Sequence, residues 1–300
     1  MSRNLPIWRS MMFVPVNVQK FVDGAHTRGA DVIILDLEDS ILPKDKERAR
    51  TLVADAAPKV ARSGADVLVR VNRPWRLCLR DLEAIVGQGI YGLMLPKTES
   101  PEHVHMVAEV LDELEVERGL PQGHTRIVAM IETVTAFFRM RDIAAAHPRV
   151  VALTLGSEDF ALAVGMVPEA EGLFYPKQQV VLAARAAGVL PLGFIGTVAD
   201  YKDLEAFRAT ARRSRRIGFT GASVIHPAQI PILNEEFRPS PEEVERARRI
   251  VAAFEVAARG NTGAIEVDGK MVDIPVVERA RRTLERHEAI ERRTASSAGG

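Results

Sequence analysis

From Ser10 to Ile225 the chain alternates short apolar runs, rich in Val, Ile and Leu, with longer stretches of helical period carrying Ala, Arg and Glu. A short apolar run followed by an amphipathic helix is one βαβ unit, and repeated units pair their strands in parallel. The runs that qualify are Met11 to Val14, Val32 to Leu37, Val67 to Val71, Gly92 to Leu95, Ile127 to Ile131, Val151 to Leu155, Leu192 to Ile195 and Ala222 to Ile225. Several are apolar at successive positions, which suits strands with one face filling a barrel and the other meeting helices. A doubly wound open sheet is the competing architecture. However, no G-x-G-x-x-G follows the first run and no Walker A sequence is present. The expected fold is therefore α/β, a (β/α)8 TIM barrel, which a chain of 300 residues accommodates as one catalytic domain.

The chain changes character after the helical stretch Pro241 to Ala257. Arg259-Gly-Asn-Thr-Gly is turn-rich and reads as a hinge, Ala264 to Val272 has a hairpin pattern around Asp268-Gly269, and Pro275 to Arg293 returns to helical period. We expect residues 1–257 to form the barrel and residues 258–300 to form a lid-like extension, with the small polar residues at its end frayed.

Lys+Arg and Asp+Glu each number 40, with no long block of one sign, so nucleic acid is not the expected partner. The single cysteine, Cys78, has no internal disulfide partner and no metal-ligand neighbour, and reads as an ordinary, partly buried thiol. Met1 to Arg9 lacks an apolar signal core and no run approaches a membrane span, so a cytoplasmic protein is expected.

In such a barrel, chemistry sits at the C-terminal ends of the strands. Those ends carry Asp36-Leu-Glu38-Asp39, Arg70-Val-Asn72, Pro96-Lys97, Glu132-Thr133, Gly156-Ser157-Glu158-Asp159 and His226-Pro227. Carboxylates converging on one mouth repel each other unless a cation compensates them. The donors are oxygens, with no Cys or His cluster, which selects Mg2+ or Mn2+ over Zn2+. Glu132 is the sharpest ligand candidate, because it ends the apolar run Ile127 to Ile131, where an ionised side chain needs a partner. Asp159 follows, with a helix cap as its other reading and Glu158 as the residue it is most easily confused with. Arg70 interrupts an apolar run, so its guanidinium needs an anion, either the substrate or Glu38 or Asp39. Lys97 reads equally as a site cation or a surface residue, and His226 reads first as a cap.

These segments, together with Arg9-Ser-Met-Met-Phe-Val-Pro15, Gly29 to Asp39, Val69-Arg-Val-Asn72 and Ile225-His-Pro-Ala-Gln229, make the chain resemble the citrate lyase β-subunit-like branch of the HpcH/HpaI aldolase superfamily, which includes malyl-CoA and citramalyl-CoA lyases. The resemblance implies a barrel in which Glu132 and Asp159 ligate Mg2+ while Glu38 and Asp39 hold its waters. It also implies that Arg70 meets the substrate's oxygens and that Phe13 lies beside a small keto acid. Asp268-Gly-Lys-Met-Val-Asp273 resembles the family's C-terminal motif, which makes Asp273 a proton-transfer residue reaching a neighbouring subunit's active site. Without the resemblance it would be a turn aspartate. The implied assembly is a homo-oligomer, a trimer or a dimer of trimers. The implied reaction is Claisen-type cleavage of a coenzyme A thioester to acetyl-CoA and a 2-keto acid, glyoxylate or pyruvate. The alternatives are a citrate lyase β subunit working on a carrier-protein thioester, a malyl-CoA-type thioesterase, an aldolase without coenzyme A, and a non-catalytic binding barrel.

Overall fold

A computed structural model describes residues 5–198, 201–259 and 264–298. The barrel strands are β1 (Ser10–Pro15), β2 (Val32–Asp36), β3 (Asp66–Arg70), β4 (Gly92–Leu95), β5 (Arg126–Ile131), β6 (Val150–Leu155), β7 (Leu190–Leu192) and β8 (Ala222–Val224). They form one sheet in the order β7-β6-β5-β4-β3-β2-β1-β8, and every pair is parallel. A parallel bridge from Leu192 to Gly221 joins the two ends of that order. The ring is the TIM barrel expected from the alternating runs. One strand differs: β7 begins two residues before the apolar run that marked it and stops at Leu192, because Gly193 takes a φ of +140° and turns the chain out of the ladder.

Strand periodicity decides what reaches the barrel interior. Met11, Val32, Ile34, Leu68, Met94, Val128, Met130 and Ala152 share one buried cluster, with Phe13 packed against it. Their alternate neighbours Ile33, Leu35, Val67, Val69, Leu93, Leu95, Ile127 and Ala129 belong to a second cluster shared with helix residues such as Val53, Leu82, Val107 and Val180. Each fully buried aliphatic side chain in these layers contributes about 1.5 to 3 kcal/mol. The same alternation, carried one step further, assigns Asp36, Arg70 and Glu132 to the interior side of their strands, at the C-terminal mouth. Asp36 and Arg70 are register partners across β2 and β3.

At the opposite end of the strands the charges are structural. Arg9 holds Asp31 with two side-chain bonds of 2.8 and 2.9 Å, and Arg149, just before β6, holds Glu115 at 2.6 and 2.7 Å. Burial would raise the Glu115 carboxyl, but Arg149 and the Thr125 N–H bring it down to about 2. Cys78 is buried, and burial with Asp81 nearby pushes its thiol up to about 12, an inert group.

The chain divides into two compact units, residues 1–237 and 238–300. The helix Pro241–Arg259, read from the sequence as part of the barrel portion, falls in the second unit. There Ala247 and Ile250 pack with Val272, Val277 and Ala280. The expected hairpin is present as antiparallel strands β9 (Ile265–Val267) and β10 (Lys270–Val272). Its turn residues Asp268 and Gly269 both have positive φ, as a two-residue primed turn requires. The final helix, Ile274–Ala298, runs through residues that the small polar composition had marked as frayed. The glycine-rich part of the hinge, residues 260–263, lies outside the described residues, as do residues 1–4. No helix among the described residues is long and apolar enough to cross a membrane.

Candidate active site

The mouth opens onto a cavity of about 770 Å3, lined by residues in the C-terminal halves of β1, β2, β3, β5, β6 and β8 and in the loops after several strands, β7 among them. Its acidic side is a connected network. Arg70 gives Nε to Asp36 Oδ1 and Nη2 to Asp36 Oδ2, both at 2.7 Å, while its Nη1 lies 3.1 Å from Glu38 and 3.4 Å from Asp39. The guanidinium carbon sits 4.8 Å above the centre of the Phe13 ring. Burial alone would raise the Asp36 carboxyl, but the bidentate Arg70 holds it below the ordinary carboxylate range. Burial, joined by the neighbouring Asp39 charge, raises Glu38 in spite of Arg70 and Lys97.

Lys97 ties this network to the residues that end β5 and follow β6. Its Nζ lies 3.0 Å from Glu38 and 3.6 Å from Asp159, and its backbone N–H donates to Glu132 Oε2 at 2.5 Å. That N–H is aimed by a left-handed backbone, φ 46°, which costs a non-glycine residue about 1 kcal/mol or more and marks a position held by its surroundings. Burial, with Glu38 and Asp159 adding repulsion, pushes the Glu132 carboxyl up to about 7. Glu158 is the less suitable neighbour of Asp159, because its carboxylate accepts from the Thr197 hydroxyl.

The structure thus brings Phe13, Glu38, Asp39, Arg70, Glu132 and Asp159 together. Sequence reasoning passed over Asp36, the partner that immobilises Arg70. The inward alternation Val32, Ile34, Asp36 carried the signal. It also left Lys97 undecided, although Lys97 is the cation at the centre of the network. His226 accepts from the Ala228 N–H through Nδ1 and stacks on Tyr201, which is the capping role expected of it. Asp273 belongs to the C-terminal unit, where its Oδ1 accepts from the Val276 N–H at 3.3 Å.

Whether a divalent cation suits this site can be judged from its charge balance. Asp36, Glu38, Asp39, Glu132 and Asp159 form one network with two paired cations, Arg70 and Lys97. Glu132, 2% exposed, carries its positive compensation only at a distance and favours a proton instead. Asp36, Glu38 and Glu132 are buried while Asp39 and Asp159 reach solvent, and this surplus of negative charge, on oxygen donors alone, fits Mg2+. Among the described residues no group of three or more His, Cys, Asp or Glu side chains is placed to enclose a metal. Glu132 and Asp159, if they served as a ligand pair, would leave coordination positions for water and substrate, as Mg2+ usually keeps.

Gly156 makes the pair compact. A Cβ there would lie 2.7 Å from Glu132 Oε1 and 2.8 Å from its Cγ. Gly156→Ala therefore forces Glu132 to move, and Mg2+ affinity measured by calorimetry should fall about ten- to a hundredfold, with the fold retained by circular dichroism.

The sequence profile of the HpcH/HpaI aldolase/citrate lyase family matches residues 9–227, which span the whole barrel. The chain belongs to that family. The β subunit of citrate lyase from Escherichia coli K12 is 35% identical over 285 residues, 93% of each chain. The L-malyl-CoA/β-methylmalyl-CoA lyase of Cereibacter sphaeroides is 32% identical, over 91% of this chain and 92% of its own. The CitE protein of Mycobacterium tuberculosis, solved with magnesium, acetoacetate and coenzyme A, superposes with a TM-score of 0.74 at 31% identity, covering 95% of this chain and 99% of that one. Membership of the family makes this chain a carbon-carbon lyase on the TIM-barrel fold of CitE.

Proposed function

We propose that this lyase is Mg2+-dependent and reversibly cleaves a malyl-CoA- or citramalyl-CoA-like β-hydroxyacyl thioester to acetyl-CoA and a 2-keto acid, with glyoxylate and pyruvate the simplest acids that fit. The observation that carries this reading is Glu132, a carboxylate buried without a close cation beside Asp159 at the mouth of a cavity large enough for an acid and a thioester arm. Glu132 and Asp159 would hold the metal, and Mn2+ would serve the same oxygen donors. Bound there, the cation supplies Lewis-acid polarisation of the acid fragment's carbonyl oxygen. The magnesium in the M. tuberculosis CitE complex supports a divalent cation in this family's site.

The chain's own groups account for the remaining work. Asp36 fixes Arg70 beside the Phe13 ring, so the guanidinium is preorganised to meet the negative charge that would develop on the thioester oxygen. Glu38 and Asp39 keep the Lys97 and Arg70 cations in place around it and would hold the waters of a bound metal. In the cleavage direction the β-hydroxyl would give its proton to solvent water, the carbon-carbon pair would pass to the thioester enolate, and Asp273 of a neighbouring subunit would protonate the enolate carbon. Met271 and Ile274, on either side of Asp273, are 72% and 62% exposed in the single chain, which suits a segment that a homo-oligomer covers. A trimer or dimer of trimers would close the site in this way. Lys20 and Arg28 line the cavity and are placed to meet coenzyme A phosphates. A carrier-protein thioester is the second reading, favoured by the 35% identity to a citrate lyase β subunit.

Mass-spectrometric analysis of malyl-CoA and citramalyl-CoA stereoisomers incubated with the protein and Mg2+ tests the proposal. Acetyl-CoA from one isomer is the expected product. Free coenzyme A as first product would instead indicate a thioesterase, and silence across the panel would favour a carrier-protein substrate or a binding role.

A further inference from the structure

Two peptide groups flank the Glu132 carboxylate, and each is pinned at both ends. The last two carbonyls of β5 take their N–H groups: Met130 O accepts from the Thr98 N–H and Ile131 O from the Gly156 N–H, both at 3.0 Å. The oxygens of the same two peptides are held by cations from elsewhere in the barrel. Arg73 Nε donates to the Lys97 carbonyl at 3.3 Å, and Lys177 Nζ donates to the Leu155 carbonyl at 2.6 Å. A peptide held at both N–H and C=O rotates only by giving up both bonds. The first peptide fixes the left-handed Lys97, whose own N–H meets Glu132 Oε2. The second fixes Gly156, which lies so close to Glu132 that a Cβ would be 2.7 Å from its Oε1, and which opens the helix Ser157–Val164 bearing Asp159.

Neither cation has a carboxylate partner among the described residues. Lys177, on the helix Ala170–Ala187, is 3% exposed, and its one acceptor is the Leu155 carbonyl. A buried ammonium costs stability that a methionine of similar length would not, so an amine at this place needs a reason, and that carbonyl supplies it. Burial pushes the amine down to about 7, and in either protonation state it keeps an N–H for Leu155. Arg73 is stacked in place: its guanidinium carbon lies 5.0 Å from the centre of the Trp75 ring, which in turn meets the His103 ring edge-on at 4.5 Å.

We propose that Lys177 and Arg73 are positioning residues that clamp the Leu155–Gly156 and Lys97–Thr98 peptides and thereby hold Glu132 and Asp159 in the arrangement that receives the cation. This rests on the proposed Mg2+ site and adds what sets its geometry, two side chains bonded to neither carboxylate. Groups that orient metal ligands in this way typically govern affinity about ten- to a hundredfold without touching the metal.

Calorimetric titration of the full-length protein with Mg2+, paired with hydrogen-deuterium exchange in EDTA, tests this. Lys177→Met should weaken Mg2+ binding about tenfold, leave the melting temperature unchanged or higher, and speed exchange only in the segment around Gly156. Arg73→Met should weaken binding by a similar factor and speed exchange only around Thr98. Lys177→Arg and Arg73→Lys, which keep a donor for each carbonyl, should recover most of the affinity. A methionine variant that binds Mg2+ as tightly as the wild type would overturn the proposal for that cation. Faster exchange throughout the barrel would also overturn it, because the cation would then support the fold as a whole. A wild type that binds no Mg2+ would remove the functional reading itself, and the exchange in EDTA would still decide the clamps: local acceleration supports them, and unchanged exchange at both segments overturns them.

Discussion

Glu132→Gln should reduce turnover at least a hundredfold, on the scale of losing an electrostatic stabiliser or metal ligand at the reacting oxygen, while making the metal-free protein more stable above neutral pH. The second half follows from linkage. Burial, reinforced by Glu38 and Asp159, moves the carboxyl from 4.5 to about 7 in the folded chain. Between those values the unfolded chain has released the proton and the folded chain has kept it, so stability falls as pH rises through that window. The shift corresponds to about 3 kcal/mol, fully lost only above pH 7. A glutamine fills the same space and carries no charge at any pH. In EDTA, the melting temperature of the variant relative to wild type should therefore increase from pH 5 to pH 8, and saturating Mg2+ should restore the wild type alone. A constant difference between the two proteins across that range would mean that Glu132 is not the uncompensated charge described above.

Asp273→Asn should lower kcat by about a hundred- to ten-thousandfold, the usual contribution of a positioned proton donor. Asparagine is chosen because Asp273 Oδ1 accepts from the Val276 N–H at the start of the last helix, and an asparagine oxygen keeps that cap, whose removal by alanine would cost about 1 kcal/mol. The loss should therefore come without a fall in melting temperature. Supply in trans has a sharper signature. Coexpressed Asp273→Asn and Glu132→Gln subunits, each nearly silent alone, should regain activity in mixed oligomers, because one site then combines an intact Glu132 with an intact Asp273 from the neighbour. Mixed oligomers as inactive as either parent would contradict an exchanged aspartate.

The barrel was legible because its signal is repeated: each strand announces itself as an apolar run, and a one-residue error at any of them leaves the alternation intact. β7 was the exception, since Leu192-Gly-Phe-Ile continues the apolar pattern past the point where the φ of Gly193 ends the ladder. In the site, Glu132 was readable because a charge at the end of an apolar strand needs a reason, and Asp159 because it follows the glycine turn after the next apolar run. Asp36 stood in the same kind of position and was hidden by the two acidic residues after it. Lys97 was ambiguous because its role depends on a left-handed backbone that composition does not reveal. Lys177 was invisible for a different reason. It lies inside an amphipathic helix among Tyr175, Pro176 and Gln178, where a lysine ordinarily faces water, and only the packing of that helix shows the side chain turned inward. Phe13 and Asp273 came from the family resemblance, since neither an apolar strand residue nor a turn aspartate stands out by itself.

The central claim is metal-dependent carbon-carbon cleavage, and it is tested most directly by quantifying the 2-keto acid and acetyl-CoA released in one reaction from the active thioester, before and after EDTA and again after Mg2+ is restored. Equimolar products that vanish with EDTA and return with Mg2+ are predicted. Coenzyme A thiol released without keto acid, or cleavage indifferent to EDTA, would contradict the account.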